Sequence, residues 1–289
     1  MIKKETCMKK LVCVSLMLII MISTGYAGQS TIAESEGYAC MGEDRTKRQT
    51  EEIALQDAKR KALEHVSTYI QSETQVKDFE LQKDIINAYA NAKVRIIEQT
   101  AKWDNDPPKV GDCYKLTIKA EVIPDEESMK RIFQSKEFSD PSTPLKVQAW
   151  TEKKEYKAND KVKIFLRGNK PFYARILYRQ ADGTLLQILP NPYRKDNYFQ
   201  GGVVYEIPSG PDRFELEVSP PFGEEEFIVY ASTGELGNLE VEPSSGVYKI
   251  KTRFEDVGDK TRGVTIVQKG KSSSSEFFEE RLRINTNDN

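Results

Sequence analysis

Two periods of apolar recurrence divide the chain, and the change falls near residue 140. Between Thr31 and Met41 a weak alternation predicts a strand, closed by the turn Gly42–Thr46. Thr46 and Gln49 then have the spacing of a capping box, in which each residue satisfies a free donor of the other at a helix start. Ala54, Ala58, Ala62, Val66 and Ile70 recur every four residues behind it, supported by Leu55 and Leu63. That spacing predicts a long helix whose stripe of small side chains lets it sit close to a sheet. A second helix is expected over Glu80–Ala92, a strand over Lys93–Trp103, a turn over Asn105–Gly111 and a strand over Tyr114–Val122. Pro124 opens a short helix to Gln134 with acids first and Lys130 and Arg131 later, the order a helix dipole favours.

From Leu145 the period shortens to two. Segments 146–152, 161–167, 172–178, 185–189, 203–207, 214–218 and 227–232 each suit a strand. Asp182-Gly183, Gly201-Gly202, Pro208–Pro211 and Pro220-Pro221 punctuate them, the first being a two-residue hairpin signal. Segments 247–254, 263–268 and 277–284 are expected as edge strands. The fold class is therefore α+β, an N-terminal mixed α/β domain followed by an antiparallel β-sandwich. Expected domains are 28–134 and 145–284, joined by the turn-rich linker 135–144 and followed by a disordered polar tail at 285–289.

Residues 1–27 read differently. Lys3, Lys4, Lys9 and Lys10 precede the largely apolar run Leu11–Ile22, and Gly25-Tyr-Ala27 supplies small residues for cleavage. This is the layout of a secretory signal peptide. The apolar run is about a dozen residues where a spanning helix needs roughly 20, so no transmembrane anchor is expected. Cleavage after Ala27 would place the product in the periplasm or outside the cell. It would also remove four lysines and one glutamate, taking the formal charge from −2 to −5. A mildly acidic chain lacks the clustered cations that displace counterions from phosphate, so no nucleic-acid partner is expected. Cys40 and Cys113 would be the two remaining cysteines. Near the first and last strands of one domain, they read as a disulfide in an oxidising compartment. Two separate buried thiols are the alternative.

Candidate catalytic chemistry is thin. His65, the single histidine, falls on the alanine-ladder helix and reads as a surface residue. No Gly-x-Ser-x-Gly elbow and no histidine metal spacing occur, and no metal or cofactor is expected. Asp104-Asn-Asp106 begins like a calcium loop, but Pro107 and Pro108 interrupt it. Glu224–Glu226 and Asp256–Asp259 could in principle supply a hydrolytic carboxylate pair, but beside Gly223 and Gly258 they read as solvated turns. The cationic run Lys59–Lys61 has Asp57 four residues before Lys61, as in a salt-bridged helix face.

Aromatics crowd between Phe172 and Tyr205. Most suit the core of a β module. Pro190 and Pro192 end one strand, however, and the short loop after them carries Tyr193, Arg194, Lys195, Tyr198 and Phe199, a candidate binding site for an acidic protein or a glycan. The run Tyr178–Pro192, with its Asp-Gly hairpin and strand ending Leu-Pro-Asn, resembles a bacterial family of unknown function over Leu145–Thr233. That family is a β-rich module found beside kinase-like and caspase-like domains. The N-terminal half, on Gly37–Gly42, the alanine ladder, Ser72–Val76 and Val122, resembles the N-terminal domain of the flagellar assembly T protein and its lipoprotein relatives. The resemblances imply an exported, non-catalytic cell-envelope protein that acts as a scaffold or interaction module. A periplasmic glycan or peptidoglycan binder is the alternative, and an acid-pair hydrolase the second.

Overall fold

A computed structural model describes residues 28–73, 79–104, 112–135, 140–244, 246–263 and 274–288. The N-terminal half runs β1 (Ser30–Cys40), α1 (Lys47–Glu73), α2 (Phe79–Ala90), β2 (Lys93–Asp104), β3 (Cys113–Ile123) and α3 (Glu126–Ser135). The capping box forms: Gln49 N donates to Thr46 Oγ1 at 3.3 Å and Thr46 N to Gln49 Oε1 at 2.9 Å. β1 and β2 flank β3 in antiparallel register. The alanine ladder lies against this sheet, with Ala58 and Ala62 packed on Leu116, Ile118 and Ala120. Close approach depends on Gly37, where a Cβ would meet the Ala54 carbonyl oxygen at 1.9 Å. Ser35 Oγ donates to the Ala58 carbonyl at 2.7 Å in the same contact.

The C-terminal half contains β4 (Val147–Thr151), β5 (Glu155–Lys157), β6 (Lys161–Val162), β7 (Ile164–Gly168), β8 (Phe172–Arg179) and β9 (Leu185–Leu189). β10 (Tyr198–Phe199), β11 (Tyr205–Ile207), β12 (Leu216–Glu217), β13 (Glu224–Ser232), β14 (Val241–Ser244) and β15 (Val247–Ile250) follow. Last come α4 (Phe254–Arg262) and β16 (Ser274–Asn287). β8 and β9 form the expected hairpin, with Gly183 at φ +83° and Asp182 Oδ1 accepting from Thr184 N at 2.8 Å. Phe172, Ile176, Phe227 and Val229 of one sheet face Val147, Ile164, Leu166 and Ile207 of the other across a sandwich core. The opposite face of the large sheet holds Leu177, Ile228, Tyr230 and Phe277 against Val257 of α4. Among the described residues no helix is long and apolar enough to cross a membrane.

Three expectations change. Segment 277–284 is no edge: the large sheet has the order β14-β15-β9-β8-β13-β16-β1-β3-β2, which puts β16 in the middle. The reason is burial on both faces, since Phe277 joins the α4 core while Phe278, Leu282 and Ile284 join the sandwich core. Residues 285–287, expected in a disordered tail, extend β16 and pair in parallel with β5. Residues 254–262 form a helix, with Glu255 and Asp256 in its first turn and Lys260 and Arg262 in its last.

One sheet therefore runs through both expected domains. The described part of the linker is also fixed: Asn169 Nδ2 lies 3.1 Å from the carbonyls of Asp140, Thr143 and Pro144. Leu145 N donates to the Glu276 carboxylate on β16, which also binds Lys170 at 3.0 Å. The signal peptide expected at 1–27, the turn expected at 105–111, residues 136–139 of the expected linker and all but Gly263 of the strand expected at 263–268 lie outside the described residues.

Candidate functional site

The aromatic loop begins where a cis Leu189–Pro190 bond ends β9. Asn191 shapes it. Its Oδ1 accepts from Tyr193 N and Arg194 N at 2.8 Å each, and its Nδ2 donates to the Ile188 carbonyl at 2.7 Å. Such a side chain substitutes for the backbone ladder that the prolines interrupt. Tyr193 stands 56% exposed, its ring stacked on Phe214 with centroids 6.4 Å apart. It also lies against Gly246 at the β14–β15 turn, where a Cβ would come within 2.7 Å of the ring. Tyr198 is 41% exposed and sits opposite Tyr173 on β8, with ring centroids 4.9 Å apart.

The structure divides the five expected binding residues. Tyr193, Lys195 and Tyr198 face outward. Phe199 is fully buried, stacked on Phe172 at 5.3 Å, and belongs to the core rather than to a binding surface. Alternation along β10 requires this: when Tyr198 points out, its neighbour points in. Arg194 is largely covered too, paired with Asp212 at 3.0 Å and lying 5.4 Å over the Phe199 ring. Burial raises the Asp212 pKa, but hydrogen bonds from Ser209 and the Arg194 charge outweigh it and hold the carboxyl below its usual range. Tyr173 and Phe214, which complete the two outward pairs, carry no local sequence signal because their partners lie far away along the chain.

The acid runs are not the solvated turns expected from their neighbouring glycines. Glu225 and Glu226 are buried in β13, where they point to opposite faces. The Tyr178 hydroxyl donates to Glu225, whose pKa burial raises. Glu226 pairs with Arg281 at 3.2 Å. Asp256 pairs with Arg253 at 2.7 Å and Asp259 with Arg95 at 2.5 Å. These acids therefore do not converge on one point. Asp57 binds Lys61 at 2.6 Å, as the helix spacing predicts. His65 reaches back to the sheet, its Nδ1 3.1 Å from the Glu34 carbonyl oxygen. Among the described residues no group of three or more His, Cys, Asp or Glu side chains is placed to hold a metal ion.

Cys40 and Cys113 are directly opposite in the β1–β3 register and form the expected disulfide. Further along the same two strands an ionic network joins the halves. Glu121 on β3 is buried, accepting from Ser30 Oγ at 2.6 Å, Arg95 Nη2 at 2.6 Å and Arg262 Nε of α4 at 2.7 Å. Arg262 continues to Glu279 on β16 at 3.2 Å, and its guanidinium lies 4.4 Å over the Phe277 ring. Burial pushes the Glu121 pKa up, but Arg262, Ser30 and Arg95 together hold it below the ordinary carboxylate range.

Comparison with known proteins bears on one stretch. No curated protein and no solved structure matches the chain. The match that exists begins at β5 and stops short of α4 and β16, so the strand that joins the halves lies outside it. Residues 155–235 match the family model described as Domain of unknown function (DUF4384), a range that includes the hairpin and Leu-Pro-Asn strand that carry the resemblance to a family of unknown function.

Proposed function

We propose that this is an exported, non-catalytic cell-envelope protein, a scaffold or interaction module that binds a macromolecule through the loop after β9. The observation that carries the reading is the pair of outward aromatic contacts, Tyr193 on Phe214 and Tyr198 on Tyr173, beside exposed Lys195. Exposed tyrosines held by a rigid turn lose little side-chain entropy on binding, and aromatic residues are favoured anchors of interfaces. A disulfide suits the oxidising compartment that the leader implies. The resemblance of the N-terminal half to a flagellar ring component supports a role in envelope assembly.

The test replaces Tyr193 and Tyr198 by alanine and leaves buried Phe199 intact. Capture of the envelope partner by the double variant should weaken by more than tenfold, equivalent to about 1.4 kcal/mol, with the melting temperature nearly unchanged. Isolated peptidoglycan serves as a parallel probe. A tyrosine-dependent loss seen only with peptidoglycan would favour the glycan reading, and unchanged capture of both would remove the loop from consideration.

A further inference from the structure

A second surface lies along the central strand, away from the aromatic loop. One edge of β16 is paired with β13 over residues 277–285. Among the described residues the other edge is paired at its ends alone, with β1 at residues 274–277 and with β5 at residues 285–287. Among the described residues no strand pairs 278–284 on that side. Every second residue of such a stretch turns its N–H and C=O toward the gap. β4 lies beside this stretch without pairing to it, its strand ladder going to β7 in the smaller sheet.

Two cavities follow this open edge. One, of about 710 Å³, lies between α3 and β16 and is lined by Gln29, Met129, Phe133, Lys146, Phe278 and Glu280, among others. The second, of about 390 Å³, continues along the strand beside β4 with Trp150, Lys154, Leu282 and Arg283 in its wall. At the β1 end Gln29 is only 7% exposed, yet among the described residues neither its amide nitrogen nor its amide oxygen has a hydrogen-bond partner. A buried group lacking both a donor and an acceptor is costly, and a peptide unit supplies both. Along β16, Phe278, Glu280 and Leu282 share the sandwich face, while Glu279 and Arg281 point to the opposite face, where Arg281 meets Glu226. The walls carry Lys130, Lys146, Lys154, Arg281 and Arg283 against Glu126 and Glu280, a cationic excess in a chain of formal charge −2.

We propose that this seam receives one extended strand of a partner protein, with alternating apolar and acidic side chains, added to β16 between β1 and β5. The gap spans on the order of 23 Å of extended chain at the usual rise per residue. Main-chain hydrogen bonds would supply affinity, and the alternation of apolar floor and cationic wall would supply selectivity, as in strand addition generally.

A labelled nine-residue peptide of alternating valine and glutamate tests this on the full chain. It should bind saturably and slow amide exchange at residues 278–284. The same peptide methylated on every second backbone nitrogen, and a valine–lysine peptide, should each bind at least tenfold more weakly. Arg283→Glu, at a side chain 59% exposed, should weaken the glutamate peptide and favour the lysine one, with near-UV circular dichroism unchanged. Equal binding of the methylated peptide, or protection confined to other residues, would overturn the proposal. So would slow exchange at 278–284 before the peptide is added. Concentration dependence would then assign the seam to a second copy of the chain, and its absence to a segment of the same chain.

Discussion

The two halves hold one sheet together by different means. In the N-terminal half β1, β3 and β2 meet α1 through alanine, glycine and serine, so the layers are close but each side chain buries little apolar area. The C-terminal half fills its sandwich with Phe172, Phe199, Phe227, Tyr156 and branched aliphatics. Thin packing coincides with the disulfide and with the ionic network around Glu121, whereas the thick core has no disulfide among the described residues. The difference teaches that close α1–sheet packing in the first half is reinforced by cross-links and by the bulkier Val66, Ile70, Ile85 and Tyr89 towards α2 and α3, whereas the second half relies on one thick hydrophobic layer.

The strongest test removes the side chain that both halves share. Phe277→Ala opens a cavity where β16 meets α4 and Tyr230, and should cost about 3–5 kcal/mol. The sequence has two tryptophans, and Trp103 reports the first half while Trp150 reports the second. Urea unfolding followed in Trp103→Phe and Trp150→Phe backgrounds should give coincident midpoints, both lowered by Phe277→Ala. Separate midpoints would restore two independent domains.

Replacing Cys40 and Cys113 together by serine should cost on the order of 4 kcal/mol in the chain-entropy account of a loop with sequence separation 73. The loss should lie mainly in the half reported by Trp103. A smaller effect, about 1.5–3 kcal/mol, is expected for Glu121→Gln, which keeps the shape but removes the charge that receives Arg95 and Arg262. Because the folded-state pKa of Glu121 is depressed, its contribution is present at neutral pH and is lost as pH falls below the ordinary carboxylate range. Acid titration of stability should therefore be shallower in the variant. Glu225 has the opposite sign: burial raises its pKa, so its contribution fades as pH rises through that value. Glu225→Gln should remove the loss of stability that sets in as pH rises just above the ordinary carboxylate range. Tyr193→Ala, on the surface, should change stability by no more than about 0.5 kcal/mol.

Local signals in the sequence were sufficient for much of this. The capping box, the alanine ladder, the Asp-Gly hairpin and most short strands follow from backbone preferences and from the two periods of side-chain direction, which neighbouring residues determine. The outward Tyr193 was legible for the same reason, since prolines end the strand before it. Only the tertiary structure decided the rest. The position of β16 in the sheet, the burial of Phe199 and the pairing of Arg194 with Asp212 all depend on groups distant along the chain. Periodicity shows that a strand has two faces but carries no record of which strands lie at its edges. For that reason a segment that read as an edge lies inside the sheet, with part of its second edge unpaired among the described residues.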